Sequence, residues 1–183
     1  MVTVYEEHPE KLNSRDSLET IDRQYKLLDT IISKSSREEI IGSIIEEKVR
    51  SIFYGNPLDY FLKDSKTKLG FGNHFKDHHS INLEIFCEIT ARRNLYAHNA
   101  GRVDSKYIRE VKSPAFTIGR KAIIDKDYLR RTIIVLRGIS AVAGSLVIRN
   151  VFNQPKVMGT IATVVTPFET YYSDIIKLED RAF

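Results

Sequence analysis

The sequence has one cysteine and no run of apolar residues that reaches the length of a membrane span. A lone cysteine, Cys87, excludes a disulfide framework and any zinc finger built on cysteine ligands. The most apolar stretch, residues 132–148, is short for a membrane helix and carries Arg137 inside it. The first residues are acidic and lack the apolar core of a secretory signal. We therefore expect a soluble, cytoplasmic protein without a membrane partner.

The composition suits a folded domain, since 42% of the 183 residues are hydrophobic and 28% are charged. Positive charge is concentrated in the middle of the chain. Residues 92–137 hold 12 Lys and Arg against 4 Asp and Glu, whereas residues 1–91 hold 12 against 16. Such a concentration suits a polyanion such as nucleic acid, although a solvated basic surface is the simpler explanation of charge alone.

The hydrophobic pattern is mostly helical. Apolar residues three or four apart predict helices at about 17–33 and 40–53, and a long helix at about 127–151. Ser36 and Glu39 form a capping-box pattern before the second of these. Together these signals predict an all-α fold, a helical bundle of about four to six helices joined mostly by short loops.

The remaining segments are harder to assign. Residues 66–80 are expected to form a loop, and residues 116–124 are ambiguous and can be extended. Pro167 is expected to open a helix near the end of the chain. We expect one helical domain over residues 1–154, with residues 155–183 as a helical C-terminal extension packed on it.

The residues that point to chemistry lie on a helix that Ser80 can cap and that stops near Gly101. Asn94 and His98 are four residues apart, so they share a face and their side chains can meet. Arg93 is about 100° round the axis, and its side chain is long enough to bend toward His98. The imidazole also lies near the helix C-terminus, where the macrodipole favours its charged form.

This set of groups suits the cleavage of RNA without a metal ion, in which the 2′-hydroxyl attacks the neighbouring phosphate. The reaction needs a base for the hydroxyl, an acid for the departing 5′-oxygen, and a cation for the charge on phosphorus. His98 can take one proton-transfer role. A second copy of the chain can supply the other histidine if two copies meet across a symmetry axis. Arg93 suits the phosphate, because its guanidinium matches phosphate oxygens and stays charged.

The same residues carry a family resemblance. The hexapeptide Arg93-Asn-Leu-Tyr-Ala-His98 resembles the R-x(4–6)-H signature of the HEPN superfamily, including the polar residue that often follows the arginine. The longer string at 92–103, with Tyr107 after it, resembles members from prokaryotic defence and toxin systems. The matched stretch is about 84–107, and neighbouring helices agree in layout only.

The resemblance implies a HEPN-like all-helical domain that forms a homodimer and cuts single-stranded or loop RNA without metal. Two signatures would meet at the dimer interface in one composite cleft, with Arg93 and His98 catalytic and Asn94 in support. The products would be a 2′,3′-cyclic phosphate and a 5′-hydroxyl. The implied use is as a toxin or an antiviral abortive-infection effector, with an antitoxin or other regulatory protein as a further partner.

One position departs from a subgroup of the family. HEPN toxins that are paired with nucleotidyltransferase antitoxins carry a tyrosine two places after the histidine, which the partner modifies. Here that place is Ala100. A free-standing or differently regulated nuclease therefore fits the sequence better than control by tyrosine adenylylation.

Polar and basic residues near the signature are candidate RNA contacts. Several follow it at spacings of three or four, which on a helix would form one basic stripe for the RNA backbone. An ordinary solvated face is an equal alternative for any single residue. The candidate RNA-binding residues are Arg92, Asn99, Arg102, Lys106 and Arg109.

Two alternatives remain open from the sequence. His74, His78 and His79 lie near Asp77 and can suggest a metal site, but an exposed polar loop explains them as well. We expect neither a metal nor a cofactor. The domain can also be a non-catalytic HEPN-like module that binds RNA or dimerises.

Overall fold

The structure is a computed structural model that describes residues 1–12, 21–34, 36–53 and 56–172. Within these ranges it is predominantly α-helical and contains no strand, so the all-α prediction is confirmed. The chain divides into two compact units, residues 1–69 and residues 70–183. The expected boundary after residue 154 lies inside the second unit and stays a prediction.

The first unit is helical around a small aromatic and aliphatic core. Tyr5, Ile45 and Ile52 are buried together, and the Tyr5 hydroxyl donates to the carbonyl of Thr67 at 2.7 Å. Ser36 Oγ accepts from the backbone N–H of Glu39 at 3.2 Å, which confirms the predicted cap. The predicted helix start at residue 17 lies outside the described residues. The helices of this unit are α1 (Val2–Glu7), α2 (Ile21–Ser33), α3 (Arg37–Phe53), α4 (Asp59–Leu62) and α5 (Asp64–Thr67).

The second unit carries the signature. Its longest helix, α9 (Lys126–Asn150), packs against both α7 (Ser80–His98) and α10 (Thr160–Pro167). Asp104 caps α8 (Ser105–Glu110) and Asp125 caps α9, since their carboxylates accept from the backbone N–H groups of Tyr107 at 2.8 Å and Tyr128 at 2.7 Å. The helices are α6 (His74–His78), α7 (Ser80–His98), α8 (Ser105–Glu110), α9 (Lys126–Asn150) and α10 (Thr160–Pro167), followed by a π-helical turn at Phe168–Tyr172.

The loop after α7 is fixed by backbone bonds to the segment before α9. Val103 N–H donates to the carbonyl of Arg120 at 2.9 Å, and Ala122 N–H donates to that of Gly101 at 2.9 Å. This segment was ambiguous in the sequence, and it forms a turn with one isolated bridge between Arg102 and Lys121. A buried cluster lies beneath it, made of Ala91, Leu95, Val103, Tyr107, Val111 and Ala122.

Three local expectations differ from the structure. The segment 66–80 is not a continuous loop, because it contains α6. Ser80 is the first residue of α7 and His79 is its N-cap, without a side-chain capping bond. Pro167 is the last residue of α10 rather than the start of a helix, since α10 begins at Thr160.

Helix α9 extends beyond its most apolar stretch, residues 132–148, at both ends. It has 25 residues and a window of mean hydropathy 1.6, so by length and composition alone it could cross a membrane, contrary to our reading of the sequence. Core helices of soluble proteins meet the same criteria. Here Val135, Ile139, Val142 and Leu146 are buried, which fits its role as the central packing helix of the second unit.

Candidate functional site

The candidate residues Arg93, Asn94 and His98 lie on the last two turns of α7. Arg93 and His98 are exposed and Asn94 is partly buried. The opposite face of the same turns is buried through Ala91 and Leu95. The helix therefore turns one face to the core and presents the signature residues to solvent.

Arg93 is directed toward His98 by its neighbour. Two residues five apart on a helix lie about 140° apart around its axis, so Arg93 and His98 do not share a face. However, Arg93 Nη1 donates to Asn94 Oδ1 at 3.0 Å. Since Asn94 and His98 are only about 40° apart, this bond draws the guanidinium toward the histidine face. We expected Asn94 to hold either Arg93 or His98 in position, and its side-chain oxygen accepts from Arg93.

The end of α7 is fixed by its own loop. Gly101 has φ +77°, and its N–H donates to the carbonyl of Leu95 at 3.0 Å. A Cβ at Gly101 would lie 2.9 Å from the ring of Tyr96, so glycine is required there. The Tyr96 hydroxyl also donates to the carbonyl of Ala122. Tyr96 therefore anchors Gly101 and Ala122, which follow the site in the chain, to the end of α7.

Arg92 was expected to contact RNA, but the structure buries it. Only 7% of the residue is exposed. Its guanidinium pairs with Glu88 at 2.6 Å and donates to the carbonyl of Ile123 at 2.7 Å. It also lies 4.9 Å from the ring centre of Phe116. Arg92 is thus committed to the interior, because a solvated guanidinium loses its water only where such partners replace it.

Glu88 joins three elements behind the site. Its carboxylate accepts from the hydroxyl of Tyr107 at 2.8 Å and from that of Tyr128 at 3.1 Å. Burial, with the charge and hydrogen bond of Glu88, raises the pKa of Tyr107 to about 12 and also raises the pKa of Tyr128. Glu88 was not among the predicted site residues, although its spacing of four from Arg92 was a usable signal.

The other candidate RNA contacts are exposed but do not form one helical stripe. Only Lys106 and Arg109 lie on α8, and Lys106 is 3.9 Å from Glu110. Arg102 lies in the bridged loop and donates to the carbonyl of Gly119 at 3.3 Å. Asn99 is the C-cap of α7, and its amide donates to the carbonyl of Arg102 at 2.6 Å.

Comparison with known proteins adds no relative. The chain matches no protein-family model, and neither a curated protein nor a solved structure is significantly similar to it. The function is therefore argued from the residues and their geometry.

A second cluster of reactive side chains lies elsewhere in the second unit. His74 Nε2 is 3.3 Å from Glu169 Oε1, and His79 Nε2 is 3.6 Å from the same oxygen. Burial lowers the pKa of His79, and the nearby His74 lowers it further, so its neutral form is favoured. Glu169 was missed, since 95 residues separate it from His74 and no local pattern links them.

A cavity of about 180 Å³ lies beside α9 and α10. Its lining is mostly apolar, and neither Arg93, Asn94 nor His98 contributes to it. The residues that line it are Ile134, Arg137, Gly138, Thr163, Val164, Pro167 and Phe168.

Proposed function

We propose that this chain is a HEPN-like, metal-independent endoribonuclease that cuts single-stranded or loop RNA. The observation that carries the proposal is the hydrogen bond between Arg93 and Asn94. It turns a solvent-exposed guanidinium toward the face that carries the exposed imidazole of His98. An arginine and a histidine that reach solvent together can serve one phosphate group.

The proposed reaction is an intramolecular transfer. The 2′-oxygen forms a bond to phosphorus while the bond from phosphorus to the 5′-oxygen breaks. One imidazole accepts the proton of the 2′-hydroxyl, and a second imidazole donates a proton to the departing 5′-oxygen. Arg93 stabilises the charge that gathers on the non-bridging oxygens. The products are a 2′,3′-cyclic phosphate and a 5′-hydroxyl.

One chain supplies one signature histidine, so we propose that a homodimer completes the site. Exposed apolar side chains near this end of the unit support a protein contact. Ile123 follows Ala122, whose carbonyl accepts from the Tyr96 hydroxyl. Leu129 and Ile133 are four residues apart on α9, and all three apolar side chains are about half exposed or more. Apolar side chains of this kind are stabilised when a second surface removes them from water.

RNA would then be held by the exposed basic groups that flank α7. Arg102, Lys106 and Arg109 follow the signature, while Arg120 and Lys121 are brought to Arg102 by the backbone bridge. Such groups bind phosphates without regard to sequence and make binding sensitive to salt. Asn99 is the remaining polar contact. Use in the cytoplasm as a toxin or abortive-infection effector, under the control of another protein, follows from the family resemblance.

The second candidate function is a HEPN-like module that binds RNA or dimerises without catalysis. The exposure of His98 favours this second candidate, since in the single chain the imidazole does not line the cavity beside α9 and α10. A catalytic imidazole is usually enclosed, so the two candidates differ in whether a partner encloses it.

The test is cleavage of 5′-labelled RNA in EDTA. We expect the wild type to release fragments with 2′,3′-cyclic phosphate ends, and His98→Ala and Arg93→Ala each to lose at least about 100-fold in rate. Arg37→Ala and His78→Ala are matched controls, since both residues are exposed and lie outside the site. Cleavage that needs a metal, or that survives in both site variants, would refute the nuclease. RNA binding without any cleavage would favour the module.

A further inference from the structure

A small group of ligand-type atoms lies where α6, the start of α7 and the π-helical turn meet. The available nitrogen and oxygen atoms of His74, His79 and Glu169 all lie within 4.8 Å of one another. Both imidazoles face the same carboxylate oxygen, at 3.3 Å and 3.6 Å. We propose that these three side chains bind a divalent transition-metal ion of the zinc class.

The first support is a buried nitrogen without a partner. His79 is 2% exposed, and its Nε2 atom has no hydrogen-bond partner. Buried polar atoms in folded proteins are nearly always satisfied, so this nitrogen requires a partner. It lies on the side of the ring that faces Glu169, where a cation between the three side chains would satisfy it.

The second support is the group behind His79. The amide of Asn82 is buried, with its nitrogen 3.2 Å from His79 Nδ1 and its oxygen without a partner. With this amide rotated by 180°, its oxygen would face Nδ1 and accept the ring proton. That arrangement leaves the Nε2 lone pair free for a metal, as outer-shell groups do for ligating histidines.

The third support is the way in which Glu169 is held. The ring of Phe168 stacks on that of His79, with centroids 5.7 Å apart and planes 16° apart. The same ring rests on Gly138 of α9, where an added Cβ would lie 2.1 Å from Cδ2. Phe168 is therefore locked between two elements, and the carboxylate that follows it is directed at the histidines.

The spacing and the ligand types suggest the class of ion. Zinc bonds of about 2.0–2.1 Å in a tetrahedral site separate the ligand atoms by about 3.4 Å, close to the two distances from Glu169. The two imidazole nitrogens, which lie within 4.8 Å of each other, would take up the same spacing when the ion binds. Imidazole favours zinc-like ions, whereas magnesium and calcium favour oxygen. Three protein ligands leave one position open to water. None of these residues belongs to the RNA site, which is proposed to act in EDTA.

The test uses Zn²⁺ alone as the probe. The EDTA-treated, dialysed protein is titrated with Zn²⁺ in competition with a chromophoric chelator, and with Co²⁺ to record its visible absorption. We expect one equivalent to bind and the Co²⁺ spectrum to be that of a low-coordinate site. Glu169→Gln and His74→Gln should each weaken binding by more than about 100-fold, beyond the loss caused by an outer-shell change.

His78→Gln is the matched control. Its ring centre lies 4.8 Å from that of His74, but His78 is exposed and outside the cluster, so its loss should leave affinity unchanged. Circular dichroism shows whether each variant folds. The proposal is overturned if folded wild type binds no Zn²⁺ at one equivalent. It is equally overturned if Glu169→Gln and His74→Gln bind as the wild type does, or if Mg²⁺ competes on equal terms.

Discussion

The guanidinium of Arg92 lies 3.9 Å from the centre of the Tyr128 ring, inside a cluster that Glu88 holds together. The next residue, Arg93, is exposed and bonded to Asn94. Two consecutive arginines therefore differ in role, because a turn of about 100° carries one from the interior to the surface. The buried one anchors α7, and the exposed one is available to a phosphate.

These roles predict opposite effects on stability. Arg92→Ala leaves the partly buried carboxylate of Glu88 without its cation, which should lower the free energy of unfolding by roughly 3 kcal/mol. Arg93→Ala removes an exposed side chain and should change it by no more than about 0.5 kcal/mol. Urea denaturation followed by circular dichroism measures both. Equal losses of unfolding free energy in the two variants would contradict the assignment of Arg92 to the interior and Arg93 to the surface.

The buried tyrosines predict a loss of stability at alkaline pH. An unfolded tyrosine ionises near pH 10, whereas folded Tyr107 keeps its proton until about 12. Above pH 10 the unfolded state therefore binds fewer protons, and the free energy of unfolding falls as pH rises through this window, by at most about 1.4 kcal/mol per pH unit for each tyrosine shifted in this way. Denaturation midpoints from pH 8 to 11 measure this slope.

Tyr107→Phe tests the source of that slope. The variant keeps the ring and loses the hydroxyl that donates to Glu88, so stability at pH 8 should fall by about 1 kcal/mol. Between pH 10 and 11 its slope should be shallower than that of the wild type, because one group no longer titrates. An unchanged slope would show that other groups cause the alkaline loss.

The two glycines of α9 differ in what faces them. Gly138→Ala would drive a Cβ into the ring of Phe168 and should cost about 1–3 kcal/mol. Gly144→Ala meets only Ile161 at 3.7 Å and should be neutral or stabilise the helix by about 0.5–1 kcal/mol. Chemical denaturation compares the pair. Zn²⁺ affinity should fall in Gly138→Ala and stay the same in Gly144→Ala.

The contact between Arg93 and Asn94 predicts a graded effect on RNA cleavage. Asn94→Ala removes the amide that orients the guanidinium but leaves both reactive groups, so the rate should fall by about 10-fold, less than for Arg93→Ala. Asn94→Asp keeps an acceptor at the same place and should retain more activity than Asn94→Ala. Single-turnover cleavage rates on one labelled RNA measure how the variants rank in activity. A loss in Asn94→Ala as large as that in Arg93→Ala would contradict a positioning role.

Local signals predicted much of the helical structure. Ser36 caps α3 as expected, because this cap depends on a side chain and a backbone N–H three residues apart, and α7 ends before Gly101 as expected. Helix α6 was missed, since a five-residue helix with four polar or charged residues and one apolar residue has no apolar period to detect.

Contacts between distant segments were beyond the sequence pattern. The burial of Arg92 depends on Ile123 and Tyr128, which are 31 and 36 positions away, so a basic residue in a basic segment was assigned to the surface. The closeness of Glu169 to His79 was hidden for the same reason, since it depends on the stacking of Phe168 on His79 and its packing on Gly138.

The backbone bridge between Arg102 and Lys121 brings together the two ends of the segment between these residues. The stretch after α8, residues 112–118, is largely exposed and lies between these joined ends. Lengthening such a tethered stretch costs little, since doubling a loop adds only about 0.6 kcal/mol. An epitope or fluorophore spliced between Ser113 and Pro114 should therefore decorate the molecule near Glu84, toward the start of α7, because Lys112 pairs with that residue, and should leave the helix in place.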